Sequence, residues 1–307
     1  MTQPLDGKHI LVTGIGGFIA AELARTLMSQ GAQVTGIDDF SSGHETNVPQ
    51  AAHLIIGDLA QADTYQKLTG DYDYICHLAG QSSGEISFDN PVADLEKNTI
   101  ATLNLIRFGI EKRVRKLVYA SSMSVYGQQP DTPTPETAIA TPSSCYGVGK
   151  LAAEQYLRIF APQLPFIGFR MFNVYGPGQD MRNMRQGMVS IFLAQALNGK
   201  EIEVKGSLDR YRDFIFIDDV VDVWLQALGN DAANNDFYNL GAGQRTTVGD
   251  LLNAIQKATG PRDIIVSGGT PGDQFGIYPC LKKLNAAFNL QSPIDINTGI
   301  KRFVEAL

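Results

Sequence analysis

A chain of 307 residues with 44% hydrophobic and 19% charged side chains carries enough apolar material for one large or two small cores, in the ordinary range of folded soluble proteins. Its net charge of −7, with no Lys/Arg cluster, argues against a nucleic-acid partner. Three cysteines (Cys76, Cys145, Cys280) cannot all pair and lack metal-ligand spacing, and His9, His44, His53 and His77 form no cluster, so no metal site is expected and a reducing, cytoplasmic setting fits.

The start, MTQPLDGKHILVTG, shows no cleavable signal pattern, and no apolar run reaches membrane-spanning length, so no membrane partner is expected. Residues 8–13 read as a short buried strand running into Gly14, Gly16 and Gly17. A helix over 18–30 follows, with Gly31 as its C′ residue, and then a strand over 33–39 ending on Asp38 and Asp39. Strand, glycine turn, helix, strand and acid make a βαβ unit with a dinucleotide fingerprint. Gly14 allows the tight turn, Gly17 lets backbone approach a pyrophosphate, and Ala20 keeps helix and sheet close. The helix N-terminus supplies donors for that phosphate. Asp38 suits the adenosine ribose hydroxyls and repels a 2′-phosphate, which favours NAD over NADP. The competing reading is a tight strand–helix connection without ligand.

The alternation continues with strands over 53–58 and 72–80 and a long helix over 91–113 with Pro91 in its first turn. A strand over 116–122 delivers Ser121 and Ser122. A Pro/Thr-rich loop over 130–142 leads to the Tyr146 helix, and a sixth strand covers 166–176. Nearly all-apolar strands alternating with helices predict an α/β fold, a Rossmann-type doubly wound parallel sheet. Gly14, Asp38, Asp58, Ala79, Ser122 and Asn173 then share the carboxyl edge, where such sheets bind ligands. Past Gly176 come a polar loop over 177–187, a helix over 188–199, a strand over 201–207, and a strand and helix over 212–228 with Asp218 or Asp219 as N-cap. Helices over 247–260 and 281–289 follow, with no repeat, low-complexity tract or linker. The predicted division is a dinucleotide domain over 1–172, to which part of 212–238 returns, and a smaller C-terminal α/β substrate lobe over 173–307.

Tyr146 and Lys150 are four residues apart on a helical pattern, so phenol and ammonium share a face. A tyrosine acting as a base at neutral pH must shift by about 3 units, roughly 4 kcal/mol, and one nearby cation supplies about 1–3 units. The pair therefore makes chemical sense beside a second positive charge such as an oxidised nicotinamide. The competing reading is an amphipathic helix with a snorkelling lysine.

TGIGGFIA at 13–20, Asp38, GDL at 57–59, HLAG at 77–80, Asn98, SSMSVYG at 121–127, CYGVGK at 145–150, RMFNVYGPG at 170–178 and RDFIFIDDVV at 212–221 resemble, over nearly the whole chain, the extended short-chain dehydrogenase/reductase family. The resemblance is to its NAD-dependent nucleotide-sugar epimerases and dehydratases, of which UDP-glucose 4-epimerase is the best-known member. It implies that Gly14, Gly17, Phe18 and Ile19 hold the pyrophosphate, Asp38 the ribose, and Asp58 with Leu59 the adenine. Ala79 would line the cofactor channel and Asn98 support the site. Ser122 would hold the reacting sugar oxygen and Tyr146 take its proton. Lys150 would hold the nicotinamide ribose and depress the tyrosine pKa. Asn173 and Arg212 would hold the diphosphate, with a surface salt bridge to Asp213 as the bland alternative for Arg212. Val204 would lie near the nucleobase through its backbone, and Asp273 belongs to the same substrate set. Gln81, Ser82 and Ser83 either touch the sugar, Ser82 foremost, or only shape their loop. Cys145 fits better as a small buried hydrophobe than as a pocket residue.

The family's 4,6-dehydratases carry an Asp-Glu pair after the residue matching Ser122. Met123 and Ser124 stand here, which disfavours dehydration. A reductase usually releases its cofactor and often prefers NADP. The resemblance thus implies an epimerase of a nucleotide sugar, most simply a UDP-sugar 4-epimerase working through a transient 4-keto sugar with retained NAD. A dehydratase, a 4-keto-sugar reductase and a non-catalytic NAD-binding sensor are the alternatives. Thr270, where many relatives have arginine, and Cys280, where the family has aspartate, leave the sugar open. The helices from Pro91 and Tyr146 imply a homodimer, as in relatives.

Overall fold

The computed structural model describes residues 5–199, 201–269, 274–290 and 292–307. The first half comprises β1 (His9–Thr13), α1 (Phe18–Ser29), β2 (Gln33–Asp38), β3 (His53–Ile56), β4 (Tyr74–His77), α2 (Pro91–Leu95), α3 (Ala101–Glu111) and β5 (Lys116–Ser122). Next come α4 (Cys145–Phe160), β6 (Phe166–Met171), β7 (Asn173–Tyr175), α5 (Met188–Leu197), β8 (Ile202–Lys205), β9 (Tyr211–Arg212) and β10 (Phe214–Phe216). The remainder is α6 (Ile217–Gly229), β11 (Asp236–Leu240), β12 (Thr246–Thr247), α7 (Val248–Thr259), β13 (Ile264–Ser267), α8 (Lys282–Ala287) and α9 (Ile296–Glu305).

Seven strands form one sheet in the order β3-β2-β1-β4-β5-β6-β11, and every pairing in it is parallel. The order reverses between β1 and β4, the doubly wound switch point. Strand alternation divides the core between the two faces. Ile10 and Val12 pack with Leu23, Leu27, Val220 and Trp224 of α1 and α6. Leu11, between them in sequence, points the other way, into a cluster with Leu105 and Ile106 of α3 and Ala153 and Leu157 of α4. Both faces are covered, which is why these strands read as unbroken apolar runs. β11, from the second half of the chain, closes the far edge beside β6.

Three sequence expectations need correction. The helix over 91–113 is interrupted by a π turn at Glu96–Ile100, between α2 and α3. The sixth strand breaks at Phe172: its N–H still donates to Leu240 O (2.9 Å), but the next N–H, of Asn173, donates to Asp213 O (3.2 Å). The chain has changed partners, and β7 pairs with β10 outside the main sheet. Helix α6 starts from Phe216, so Asp218 and Asp219 lie in its first turn rather than at its cap. There Asp219 Oδ2 accepts from Ile294 N (2.9 Å), and negative charge favours the positive end of the helix dipole. The sequence reading also missed β11, β13 and α9. β13 pairs parallel with β8. α9 starts at Asp295, whose carboxylate caps the N–H groups of Asn297 and Thr298. Two further small pairings, β9 with β12 antiparallel and β7 with β10, complete the sheet structure among the described residues.

Candidate active site

A cavity of about 540 Å3 opens along the carboxyl ends of β1, β2, β4 and β5 and runs under the segment between β7 and α5. Its first half begins at Gly14, whose φ of +72° is the left-handed conformation that glycine adopts at no steric cost. A methyl group there would sit 2.8 Å from Ala79 Cα. Helix α1 starts at Gly17 with no side-chain cap and no acid in its first turn. Its leading N–H groups therefore face the cavity at the positive end of the helix, with Gly14, Gly17, Phe18 and Ile19 lining it. Asp38 ends β2, its two oxygens accepting from Gly16 N and Phe40 N (2.8 Å each). Burial raises its pKa, while these backbone bonds oppose the rise. Asp58 and Leu59 also line this half, although Asp58 lies two residues beyond the end of β3. These residues fit a dinucleotide: an uncapped helix end for the pyrophosphate, a glycine cradle, and a carboxylate with unused acceptor capacity for ribose hydroxyls.

Lys97 was not foreseen. It stands on the π turn and bridges Asp39 and Asp58, the latter at 3.1 Å from its Nζ, so one cation joins two acids at the cavity wall. Its charge adjoining Asn98 is visible in the sequence, but its direction depends on the π turn.

In the second half Ser122, Tyr146 and Lys150 converge and all line the cavity. Ser144 caps α4 by accepting from Gly147 N (3.1 Å). Gly147 then lets the helix press on the turn after β5, because a methyl there would lie 2.5 Å from Ser124 O. That approach sets Tyr146 beside Ser122, whose hydroxyl favours the ionised phenol. Ser122 Oγ accepts from Ser124 N (3.1 Å). Lys150 is 4% exposed; its Nζ donates to Ala120 O (3.0 Å) and lies 5.8 Å from the Tyr146 ring centre.

In the protein alone, without the second positive charge that the pair calls for, the tyrosine pKa is not depressed. Burial pushes the Tyr146 phenol up to about 12; the Ser122 hydroxyl opposes this and Asp94 adds to it. Burial pushes Lys150 down to about 8, against the pull of Asp94 and Glu154. Desolvation disfavours both charged forms in the protein alone.

Ser82, Ser83, Asn173 and Arg212 line the same cavity. Ser82 Oγ accepts from Gln186 Nε2 (2.6 Å). Arg212 is buried rather than at the surface, with Nη2 donating to Gln274 O (2.6 Å) and Nη1 to Tyr211 O (2.7 Å). The Asp213 carboxylate accepts from Ala242 N and Gln244 N. Asn173 Nδ2 donates to Asp213 O (2.8 Å). Two expected residues do not line the cavity. Asn98 lies behind the wall, its Nδ2 donating to Gln81 O (3.0 Å) and Asp94 Oδ1 (3.2 Å). Val204 is fully buried in β8, with its side chain in the core and not in the cavity lining. Asp273, like Thr270, lies outside the described residues. Cys145 and Gln81 do not line the cavity. Cys145 is half-buried.

The sequence model of the NAD dependent epimerase/dehydratase family matches residues 10–241. The UDP-glucose 4-epimerase of Mycolicibacterium smegmatis is 36% identical over 82% of this chain and 83% of its own. The UDP-glucuronic acid decarboxylase 1 of Xenopus tropicalis is 34% identical over 83% of this chain and 61% of its own. The crystal structure of the UDP-glucose 4-epimerase of Thermotoga maritima with UDP-glucose superposes with a TM-score of 0.93 at 31% identity, covering 97% of this chain and 98% of that one. With its switch-point cavity, glycine turn and Ser-Tyr-Lys set, this chain belongs to the NAD dependent epimerase/dehydratase family.

Proposed function

We propose that the chain is an NAD-dependent 4-epimerase acting on a nucleotide diphosphate sugar, with a UDP-sugar as substrate. The observation that carries the choice is the wall beside the reacting groups. Ser122 and Tyr146 converge in the cavity, while the residues that follow Ser122 are Met123 and Ser124, and both line it. Neither brings the acid or base that elimination of water requires. Identity alone does not choose the reaction, since an epimerase and a decarboxylase are similar to this chain at 36% and 34%.

NAD supplies a reversible hydride acceptor at the sugar C4 when bound. Gly14, Gly17, Phe18 and Ile19 hold its pyrophosphate, Asp38 its ribose, Asp58 and Leu59 its adenine, and Ala79 flanks the channel. Ser122 Oγ holds the C4 oxygen, and Tyr146 Oη removes the proton from it and later returns it. In the protein alone Tyr146 is a poor base, its phenol pushed up to about 12 by burial. The oxidised ring's positive charge, added to that of Lys150, is the force that opposes this burial. Arg212 and Asn173 bind the diphosphate, a task for a planar guanidinium. Ser82 meets the sugar. Residues from 173 onward mainly build the substrate lobe, over a dinucleotide domain ending near 172.

The chain works as a homodimer in this reading. Val92 (65%) and Leu95 (46%) of α2 and Val148 (53%) and Ile159 (65%) of α4 are large apolar side chains left exposed on adjacent helices. Free Cys76, Cys145 and Cys280 suit a cytoplasmic setting. Incubating the purified protein with UDP-, GDP-, CDP- and dTDP-sugars, followed by NMR, tests the function. Inversion at C4 without added cofactor is expected. Loss of carbon dioxide or water from the sugar, or steady consumption of NADH, would replace the epimerase with another member activity.

A further inference from the structure

We propose that Asp94 is a positioning residue whose buried carboxylate is the counter-charge of Lys150 and thereby governs the ionisation of the Tyr146–Lys150 pair. Asp94 does not line the cavity. It stands on α2, 2% exposed, and its Oδ1 accepts only from neutral donors, Gln81 Nε2 (3.0 Å) and Asn98 Nδ2 (3.2 Å). Asp94 Oδ2 and Asn98 Oδ1 are buried without a hydrogen-bond partner. A buried carboxylate with half its acceptors idle is costly unless a charge nearby offsets it.

The surrounding packing supplies one candidate. Helix α4 meets the α2 segment through Gly149, where a methyl group would lie 3.2 Å from Asn98 Cβ and 3.5 Å from Asp94 Oδ2. A methyl group on Gly80 would touch Asn98 Oδ1 at 2.5 Å and Lys150 Nζ at 3.4 Å. Asn98 Oδ1 and the ammonium therefore border one space beside Gly80, while Asp94 Oδ2 faces Gly149, the residue before Lys150, and acts on the ammonium through space and not as a direct ion pair. The other charged groups around Lys150 are already satisfied, and the Tyr119 phenol, whose hydroxyl has no partner, stays neutral through burial. Glu154, one helical turn on in α4, is bound at two points by Arg170 of β6 (2.9 and 2.7 Å) and accepts from Ser121 Oγ (2.6 Å). His77 of β4 is held between Thr13 Oγ1 (2.8 Å) and Thr102 Oγ1 (2.9 Å) and kept neutral by burial. Tyr119 of β5 offers its ring face, 5.0 Å from Nζ. Asp94 is thus the carboxylate near Lys150 that has no other cation among the ion pairs of the described residues. Its charge also raises the Tyr146 pKa, so one carboxylate acts on both members of the pair in the same direction.

The proposal rests on Tyr146 and Lys150 being the reactive pair, but its test needs no sugar nucleotide and so fails separately from the epimerase reading. The Tyr146 phenolate is followed by ultraviolet difference titration, subtracting the same protein carrying Tyr146→Phe. Asp94→Asn is expected to lower the Tyr146 midpoint by about one unit, and Asp94→Glu to leave it near the wild-type value. An unmoved midpoint in Asp94→Asn, or an equal shift in Asp94→Glu, overturns the proposal. Where Asp94→Asn folds poorly, thermal melting of Lys150→Met decides. Removing the ammonium strands the carboxylate, so adding Asp94→Asn to Lys150→Met is expected to raise the melting temperature. A further loss of stability in that double variant overturns the proposal as well.

Discussion

Arg170 and Glu154 form a two-point ion pair inside the protein, Nε to Oε1 at 2.9 Å and Nη2 to Oε2 at 2.7 Å, with Arg170 5% and Glu154 0% exposed. The pair ties α4 to β6, and Ser121 Oγ, donating to the same carboxylate at 2.6 Å, ties both to β5. Tyr146 and Lys150 precede Glu154 by two turns and one turn of the helix, and Ser122 follows Ser121. Arg170→Met strands a buried carboxylate and is expected to cost about 3–5 kcal/mol in urea unfolding. Arg170→Met with Glu154→Leu should recover most of that loss.

Gly14 makes a second test, of the cradle. Its φ of +72° costs any other residue about 1–2 kcal/mol. A β-carbon would also meet Ala79 Cα at 2.8 Å and push β4 away from the turn. Gly14→Ala should therefore weaken NAD binding, measured by calorimetry, more than it lowers the melting temperature. Equal binding by the variant would remove Gly14 from the pyrophosphate site.

Tyr146→Phe removes one oxygen from a buried phenol that lines the cavity beside Ser122. Turnover is expected to fall at least about 100-fold, the usual worth of a placed acid–base group. Cofactor content should be unchanged, because the ring remains. Ser122→Ala leaves the base in place and should act mainly on kcat, by a smaller factor. A Tyr146→Phe protein of full activity would assign the proton transfer to another group.

What the sequence made legible follows from range. The β1–glycine–α1–β2 unit is local, and each of its residues does in space what its neighbours in sequence suggest. Strands buried on both faces read as apolar runs, so the carboxyl edge carrying Asp38, Ser122 and Asn173 could be drawn before any coordinates. The π turn was hidden, because nothing in Glu96–Ile100 departs from a helical pattern; it turns Lys97 towards Asp39 and Asp58 while Asn98 faces Asp94. The break at Phe172 was hidden for a different reason. FIGFRMFNVY is equally apolar on both sides of it, and the change of partner is decided by β10 and β11, at least 40 residues further on. The direction of the Tyr146 shift was also beyond the sequence, since spacing shows the cation beside the phenol and only packing shows how deeply both are buried.

Two buried groups give stability opposite dependences on pH. Burial between Thr13 and Thr102 lowers the His77 pKa from 6.5 to about 3. The unfolded chain then binds the proton more readily, so His77's contribution is complete above 6.5 and declines as pH falls towards 3. Burial raises the Asp213 pKa from 3.8 to about 7, despite backbone N–H donors from residues 242–244. The folded chain holds that proton more readily, so its contribution is complete below 3.8 and declines as pH rises towards 7. Between 3.8 and 6.5 the two slopes oppose each other, each about 1.4 kcal/mol per pH unit at most. Relative to wild type, His77→Gln should lose stability with rising pH across that window, and Asp213→Asn should gain it. Urea unfolding at intervals through the window checks both signs, and parallel curves for all three proteins would refute the linkage.

Arg185 offers the last test, at the cavity mouth. The segment between β7 and α5 crosses the cavity and is tied on both banks. On one side Arg185 pairs with Asp89 (2.7 Å) and Glu85 (3.2 Å), its carbonyl accepts from Ser83 Oγ (3.2 Å), and Gln186 holds Ser82. On the other, Asp180 Oδ2 meets His44 Nε2 at 3.1 Å. Arg185 and Asp89 are exposed, and pairs of that kind are weak and screened by salt. Their effect should therefore appear in the rate at which the crossing segment lifts and not in global stability. Arg185→Ala is expected to speed the dissociation of bound NAD a few-fold, followed by displacement in a stopped-flow instrument, with little change in melting temperature. Added salt should accelerate release from the wild-type protein towards the variant's rate and leave the variant nearly unaffected. Equal rates at low salt would show that the segment is held by its uncharged contacts, Gln186 to Ser82 and Ser83 to the Arg185 carbonyl, and that the ion pairs contribute nothing to retention.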